Sequence, residues 1–335
     1  MTTDDSYLPS ADLFDDGDLT DDRADPGTRS APWYLGDACV PADEPTDRAG
    51  RAAMRAEFSH LPFTRTVRHL LDAIGDGMRL TRQGKLYAVD RRRVEERCAE
   101  EPTGRRWGPY GGGTGVELAW DVLTRLGWLL REEGRVRPSG KVLVGDERDD
   151  ATEEALDDAR QLLAAVLDTV DVGGATSWWG SSPPDDGFDA LLVASGTDGL
   201  TLPVIPPDDR LIHCSETVDF LAALIRQPHI HHVPIDRATG HVAEGKLREL
   251  GHVSRAMSAL DSKGLLVAPS HSGRAPDEDY RDRWDDGNYG NPGDYRDHRS
   301  LMTFRAPVMM RGAVAVLRER RAVQRAELAA DLERL

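Results

Sequence analysis

The stretch VELAWDVLTRLGWLLREEGRVRPSGKVLV, residues 116–144, places a helical pattern directly before two strand patterns. We predict a helix over residues 116–128, because apolar residues recur there every three or four positions. The apolar residues of this pattern are Leu118, Val122, Leu126 and Leu129. Two short strands, Trp128–Arg131 and Lys141–Val144, should follow, joined by a polar turn that contains EEGRVRPSG. The stretch therefore predicts a helix that leads into a β-hairpin.

Two further helices are predicted upstream of this stretch. FTRTVRHLLDAIGDG has Val67, Leu70, Leu71 and Ile74 on one helical face and a glycine, Gly75 or Gly77, to end the helix. A short extended piece, MRLTRQGKLY, comes next, and AVDRRRVEERCAEE then reads as a helix. The order along the chain is helix, short strand, helix, helix and hairpin.

The charge falls into blocks along the chain. Of the 335 residues, 59 are acidic and 42 basic, so the formal net charge is -17. Residues 61–145 are net basic, whereas residues 146–209 hold 16 acidic and only 2 basic side chains. We expect residues 1–57 to be largely disordered, because this acidic segment has too few apolar residues to offset its ordering entropy. Within it, the aromatic cluster Trp33-Tyr34-Leu35 is suited to docking onto the folded body.

The second half of the chain repeats some of these patterns. EEALDDARQLLAAVLDTV predicts a helix, and FDALLVASGTDGLTLPVI predicts a β-hairpin around Gly196–Gly199. In HVSRAMSALDSKGLLVAPS, Val253, Met257 and Leu260 should face a core, and Gly264 should end the helix before a strand at Leu265–Ala268. After a long polar excursion come a second strand in SLMTFRAPVMM and a helix from about Gly312 to Leu335.

ELGHVSRAMSALDSKGLLVAPS together with SLMTFRAPVMM resembles the last helix and wing of bacterial winged helix-turn-helix domains. LLDAIGDGMRLTRQGKLYAVDRRRVEE with LAWDVLTRLGWLLREEGRVRPSG is similar to winged-helix modules common in actinobacterial proteins. The resemblance implies an α+β fold with two winged-helix-like units, an acidic helix and hairpin insert, and a long C-terminal helix. The expected divisions are residues 1–57, a first unit at 58–145, the insert at 146–209 and a second unit at 210–335.

In that family the last helix enters the major groove and the hairpin touches the flanking DNA backbone. The leading hypothesis is therefore a nucleic-acid-binding protein of regulation or genome maintenance, with polar residues of helix 252–262 at base edges and basic residues of the wing on phosphates. The candidate residues are His252, Ser254, Arg255, Ser258, Lys263, Arg274, Arg299 and Arg305. The alternative for these residues is an ordinary solvated helix face.

A second basic patch lies in the first predicted unit, at Arg91, Arg92, Arg93, Arg105 and Arg106. These arginines either contact phosphates or pair with glutamates at helical spacing, at Glu95, Glu96, Glu100 and Glu101. We favour the pairing, because Glu117 and Asp121 on the outward face of helix 116–128 would be repelled by a phosphate backbone. The same acidity favours a rival hypothesis, a non-catalytic assembly or adaptor protein whose winged helices dock onto protein partners.

An enzyme is the third hypothesis, and it depends on QPHIHHVPIDRATGH. His229, His231, Asp236 and His241 are residue types that bind transition metals, although a polar, histidine-rich loop would look the same. GPYGGGTG does not indicate a nucleotide site, because no Gly-Lys-Ser/Thr follows and a charged helix precedes it. We expect no cofactor.

The sequence also gives expectations about cellular location and self-association. Cys39, Cys98 and Cys214 are odd in number and widely spaced, which favours neither a disulfide framework nor a cysteine zinc site. With no apolar run of membrane length and an acidic N-terminus, we expect a cytoplasmic protein without membrane contact. The C-terminal helix carries apolar residues at helical spacing, so it either pairs with a second copy in a homodimer or packs on its own domain. These residues are Val316, Val323, Leu328, Ala330, Leu332 and Leu335.

Overall fold

The computed structural model describes residues 35, 43–99, 115–144, 152–170, 186–196, 198–203, 253–254, 256–272, 301–332 and 334. Within these ranges the chain mixes helix and strand and is mostly helical, consistent with the predicted α+β class. None of the described helices has the length and apolarity needed to cross a bilayer.

An N-terminal set of elements consists of four helices and a small sheet. Its elements are α1 (Arg48–His60), α2 (Pro62–Ile74), β1 (Met78–Arg79), α3 (Ala88–Ala99), α4 (Gly115–Arg125), β2 (Leu129–Glu132) and β3 (Arg135–Pro138). Helices α2, α3 and α4 pack against one another, and the antiparallel sheet has the order β1-β3-β2. The helices predicted from FTRTVRHLL, AVDRRRVEE and VELAWDVLT are confirmed.

Residues 48–57, at the end of the segment 1–57 that we expected to be largely disordered, are helical and belong to α1. The Asp47 carboxylate caps the helix by accepting the Gly50 N–H at 2.9 Å. Met54 and Phe58, four residues apart and therefore on one face, are buried in the core. Leu35 of the predicted aromatic cluster is also buried, while Trp33 and Tyr34 lie outside the described residues.

The chain just before α1 is fixed by two arginines that lie more than 100 residues further along the chain. Arg160 donates to the Glu44 carboxylate with an N–O distance of 2.7 Å, and Arg311 donates to the Asp43 carbonyl at 2.8 Å. Burial by itself would lower the pKa of Arg160, but hydrogen bonds and charge from Glu44 and Glu153 outweigh it and raise that pKa. The acidic residues that suggested disorder in this segment include Glu44, which is the ion-pair partner of the half-buried Arg160.

The predicted hairpin exists, but its second strand was misplaced. β3 is formed by Arg135–Pro138 and not by Lys141–Val144, so the turn has only two residues, Glu133 and Gly134. Their φ angles of 48° and 76° are the two positive values that a type I′ turn requires. Charged residues had suggested a loop, yet Val136 is buried while its neighbours in β3 point to solvent, as the alternation of a half-buried strand demands.

A C-terminal set forms a second sheet with flanking helices. Its elements are α5 (Glu153–Val170), α6 (Asp186–Ala194), β4 (Leu200–Pro203), helical residues 253–254 and 256–262, β5 (Val267–Ser272), β6 (Leu301–Arg305) and α7 (Met310–Leu332). The antiparallel sheet has the order β4-β6-β5. Helix α5 packs mainly against α7 and also contacts α4 of the N-terminal set. The predicted burial of Val253, Met257 and Leu260 is confirmed.

The β-hairpin predicted around Gly196–Gly199 is wrong. Residues 186–194 form helix α6, whose Phe188 and Leu191 are buried, and β4 pairs with β6 through partners such as Leu200 and Phe304. A short, continuous apolar run such as FDALLVA does not distinguish a buried helix from a buried strand. As a result, a strand inside the predicted insert 146–209 belongs to the sheet of the following segment.

Besides the contact between α4 and α5, the two sets meet along α1 and the start of α2. The Phe63 N–H donates to the Gly264 carbonyl at 3.1 Å, which ties α2 to the end of the 256–262 helix. Glu57 accepts the Val308 N–H at 3.0 Å and pairs with Arg305 at 3.6 Å. Helix α1 therefore helps to hold β6 against the N-terminal set.

Candidate nucleic-acid interface

The predicted DNA-reading helix does not present its residues as expected. Ser254 is fully buried, so its expected place on the exposed face is wrong. Ser258 is half-buried in the same helix. His252 and Arg255 lie outside the described residues.

Of the basic residues expected at the wing of the C-terminal set, Lys263 and Arg305 are described, and neither is fully exposed. Lys263 is half-buried, and burial lowers the pKa of its amine. Arg305 pairs with Glu57 at 3.6 Å and is directed toward α1. Arg274 and Arg299 lie outside the described residues, as do the metal candidates His229, His231, Asp236 and His241. In the part of the chain that is described, no group of three or more possible ligands is placed to hold a metal ion.

In the second basic patch, Arg91 and Arg93 pair with acidic side chains, and Arg92 is exposed. Arg91 contacts Glu95 at 3.6 Å in the same helix and Glu117 of α4 at 2.5 Å. Arg93 lies 4.0 Å from Asp90. The favoured pairing is thus confirmed for Arg91 and Glu95, whereas Arg105, Arg106 and the glycine-rich GPYGGGTG loop lie outside the described residues.

Helix α4 offers an acidic outer face. Glu117 and Asp121, one turn apart, are both exposed. Arg125, at the end of the helix, is held by α5, where it donates to the Ala165 carbonyl at 2.5 Å and lies 3.8 Å from Asp168. The exposed face of α4 therefore presents carboxylates to solvent.

A basic surface lies instead at the outer end of the first sheet, and the sequence analysis did not single it out. We call it the sheet-end cluster; it comprises Arg79, Arg82, Lys85, Arg131, Arg135 and Arg137, all six exposed. The first three come from β1 and the turn after it, and the others from the β2–β3 hairpin. Basic residues at every second position in RVRP, facing an MR strand, are the signal that would have found it.

Backbone hydrogen bonds hold the two parts of the cluster together. The Leu80 N–H donates to the Gly134 carbonyl at 2.8 Å, which joins the chain after β1 to the hairpin turn. The following turn closes on itself, because the Thr81 N–H donates to the Lys85 carbonyl at 2.8 Å and the Lys85 N–H to the Thr81 hydroxyl at 3.1 Å. The cationic side chains are thus mounted on hydrogen-bonded backbone.

The hairpin members of the cluster have local partners. Arg131 stacks over the Trp120 ring with 5.2 Å to its centroid, and Arg137 pairs with Glu132 at 3.0 Å. Arg135 donates to the Gly77 carbonyl at 3.2 Å. By contrast, Arg79, Arg82 and Lys85 make no side-chain hydrogen bond or ion pair within the described ranges.

Helix α7 is half packed and half exposed. Val314 and Leu317 are buried against the C-terminal set, whereas Val323 and Leu328 are 52% and 62% exposed. The packing expected on its own domain is thus confirmed for the first half of the helix. The predicted homodimer contact in the second half stays a prediction.

Comparisons with protein-family models, curated proteins and solved structures give no significant match to this chain.

Proposed function

We propose that this chain is a nucleic-acid-binding protein with two winged-helix units, acting in regulation or genome maintenance. The observation that carries the proposal is a connectivity that occurs twice. In both sheets the first strand pairs with the third and the third with the second, giving β1-β3-β2 and β4-β6-β5. In both, a helix precedes the first strand and another helix precedes the second.

The first unit of the proposal runs from α2 to β3. Its order is helix, strand, two helices and a hairpin, which is the order of the family that the sequence resembles. The second unit runs from α6 to β6, with residues 204–252 between β4 and the 256–262 helix. The proposal therefore moves the start of the second unit from residue 210 back to residue 186.

Surface charge supports nucleic acid as the ligand of the first unit. The chain as a whole is acidic, with a net charge of -17, so a concentrated basic surface stands out against the rest of the molecule. Binding of this kind depends on phosphate contacts and weakens with salt.

Protein docking is the second candidate function, and the exposed Glu117 and Asp121 on α4 favour it. This face would suit a partner that presents basic side chains. The two candidates do not exclude each other, because the carboxylates lie on α4, whereas Arg79, Arg82 and Lys85 lie on β1 and the turn after it.

Fluorescence anisotropy of a labelled random-sequence duplex, titrated with the full chain from low to physiological salt, tests the proposed function. We expect binding whose logarithm falls linearly with the logarithm of the salt concentration. Absence of binding at the lowest salt would refute nucleic-acid binding and leave protein docking as the function to pursue.

A further inference from the structure

We infer that the first unit binds the phosphate backbone of duplex DNA through the sheet-end cluster and not through α4. The inference rests on the proposed function and specifies its surface and its mode. It follows that this unit holds DNA without reading its sequence, because phosphate contacts carry no direct sequence information.

Two positive side chains of the sheet-end cluster lie directly opposite each other. Arg79 of β1 and Arg135 of β3 are direct cross-strand partners, and both are exposed. Like charges placed directly opposite each other destabilise a sheet. Glu132, the residue opposite Arg135 on the other side, pairs with Arg137 instead. A phosphate between the two arginines would relieve the repulsion.

Three cationic side chains of the cluster are available to bind an anion. Arg79, Arg82 and Lys85 have no side-chain partner in the described parts of the chain, so no ion pair must break before they bind an anion. Arg135 and Arg137 add charge on the same face of β3, because alternate residues of a strand share a face. Asp76, Glu132 and Glu133 are the acidic residues of the same segments, and they leave the surface net positive.

The charge of α4 opposes its insertion into DNA, which is the ordinary role of this helix in winged-helix proteins. A duplex placed against α4 would meet Glu117 and Asp121, and the repulsion would oppose the counterion release that drives binding. Arg91 on α3 offsets the charge of Glu117, with which it pairs, but Asp121 has no ion-pair partner in the described part of the chain. Phosphates therefore find their best site at the sheet end.

The test compares two triple variants of the full chain in the salt titration. The first variant carries Arg79→Gln, Arg82→Gln and Lys85→Gln. The control, Arg97→Gln, Arg325→Gln and Arg334→Gln, removes the same charge from exposed positions elsewhere. Since each lost phosphate contact reduces the log–log slope by about 0.9, the first variant should lose about 2.7 from the slope. The control should keep the slope of the unaltered chain.

The outcomes separate this inference from the proposed function. If the unaltered chain fails to bind at low salt, the proposed function itself is wrong. If it binds and the sheet-end variant keeps its slope, or the control loses as much, the sheet-end surface is refuted while nucleic-acid binding stands. Circular dichroism melting checks that each variant folds, and Arg82→Gln alone, in an exposed turn, replaces the triple variant if that one unfolds.

Two competition experiments complete the test. Unlabelled duplexes of unrelated sequence should compete equally, and strong preference for one of them would overturn the claim of sequence-independent binding. Polyglutamate at the same salt should compete far more weakly than DNA. Equal competition would indicate that the surface binds acidic chains in general, and the assignment to DNA would be wrong.

Discussion

At the scale of single residues, Glu57 makes one of the contacts that join the two sheets. Its carboxylate accepts the Val308 N–H at 3.0 Å and lies 3.6 Å from Arg305, whose Nε is buried and has no hydrogen-bond partner among the described residues. Glu57→Ala should lower the free energy of unfolding by about 1–3 kcal/mol, because a part-buried donor loses its acceptor. Urea denaturation measures the change.

The matched control for this prediction is Glu319→Ala, since Glu319 is exposed on α7. Surface substitutions of this kind change stability by no more than about 0.5 kcal/mol. Equal effects of the two substitutions would show that the Glu57 contact does not stabilise the junction.

Gly199 allows a second test at residue scale. Its φ is 69°, and a Cβ there would lie 2.7 Å from the Phe304 carbonyl oxygen. Gly127 has the same φ of 69° with nothing within 4 Å of the corresponding position. Gly127→Ala should cost about 1–2 kcal/mol for the left-handed backbone alone, and Gly199→Ala clearly more because β4 must move from β6. Thermal melts of the two variants make the comparison, and equal losses would contradict the close approach.

Lys263 predicts a dependence of stability on pH. Burial lowers the pKa of its amine from the ordinary value of 10.5, so the folded chain releases this proton at lower pH than the unfolded chain. The unfolded state then binds more protons, and the free energy of unfolding should rise with pH between the folded pKa and 10.5. Lys263→Met should remove this rise, and parallel pH profiles for the two proteins would contradict it.

At the scale of helices and strands, the sequence predicted best where periodicity was long. Helices α2 and α5 run for 13 and 18 residues with a clear apolar face, and both were predicted. Helix α6, with 9 residues, was mistaken for a strand because its run is short and almost wholly apolar. Helix α1 was missed because its few apolar residues are diluted by charged ones that pair with partners far along the chain.

The candidate site was harder to predict than the helices. Cross-strand neighbours such as Arg79 and Arg135 come together only through register, and the register depends on the two-residue turn at Glu133 and Gly134. Placing the second strand at Lys141–Val144 separated these charges and concealed the cluster. The burial of Ser254 was also not predicted, because a helical pattern does not specify how wide the packed face of the helix is.

The exposed part of the second half of helix α7 should contribute little to stability. Residues 322–329 are exposed, and Val323 and Leu328 lie about 140° apart around the helix, so they do not form one stripe. Val323→Ala and Leu328→Ala should therefore each change the free energy of unfolding by no more than about 0.5 kcal/mol. Leu317→Ala, in the packed half, should cost about 2–5 kcal/mol. A large loss in either exposed variant would reveal a packing role for this part of the helix.

At the scale of the whole molecule, two sheets with the same strand order are held together by contacts of α1 and α5. We expected DNA on the C-terminal segment, yet Lys263 and Arg305, the two described basic residues of that prediction, are half-buried, and Arg305 pairs with Glu57. Among the described residues, Arg79, Arg82 and Lys85 on the first unit are exposed cations without a side-chain partner. We therefore propose nucleic-acid contact on the first unit and protein contact on the α4 face.

Amide hydrogen exchange of the full chain, with and without a short DNA duplex at low salt, tests this assignment most directly. We predict slower exchange on binding at residues 78–85 and 129–138, with the amides of Gly115–Arg125 unchanged. Protection of α4, or of residues 256–272 without the sheet end, would contradict it.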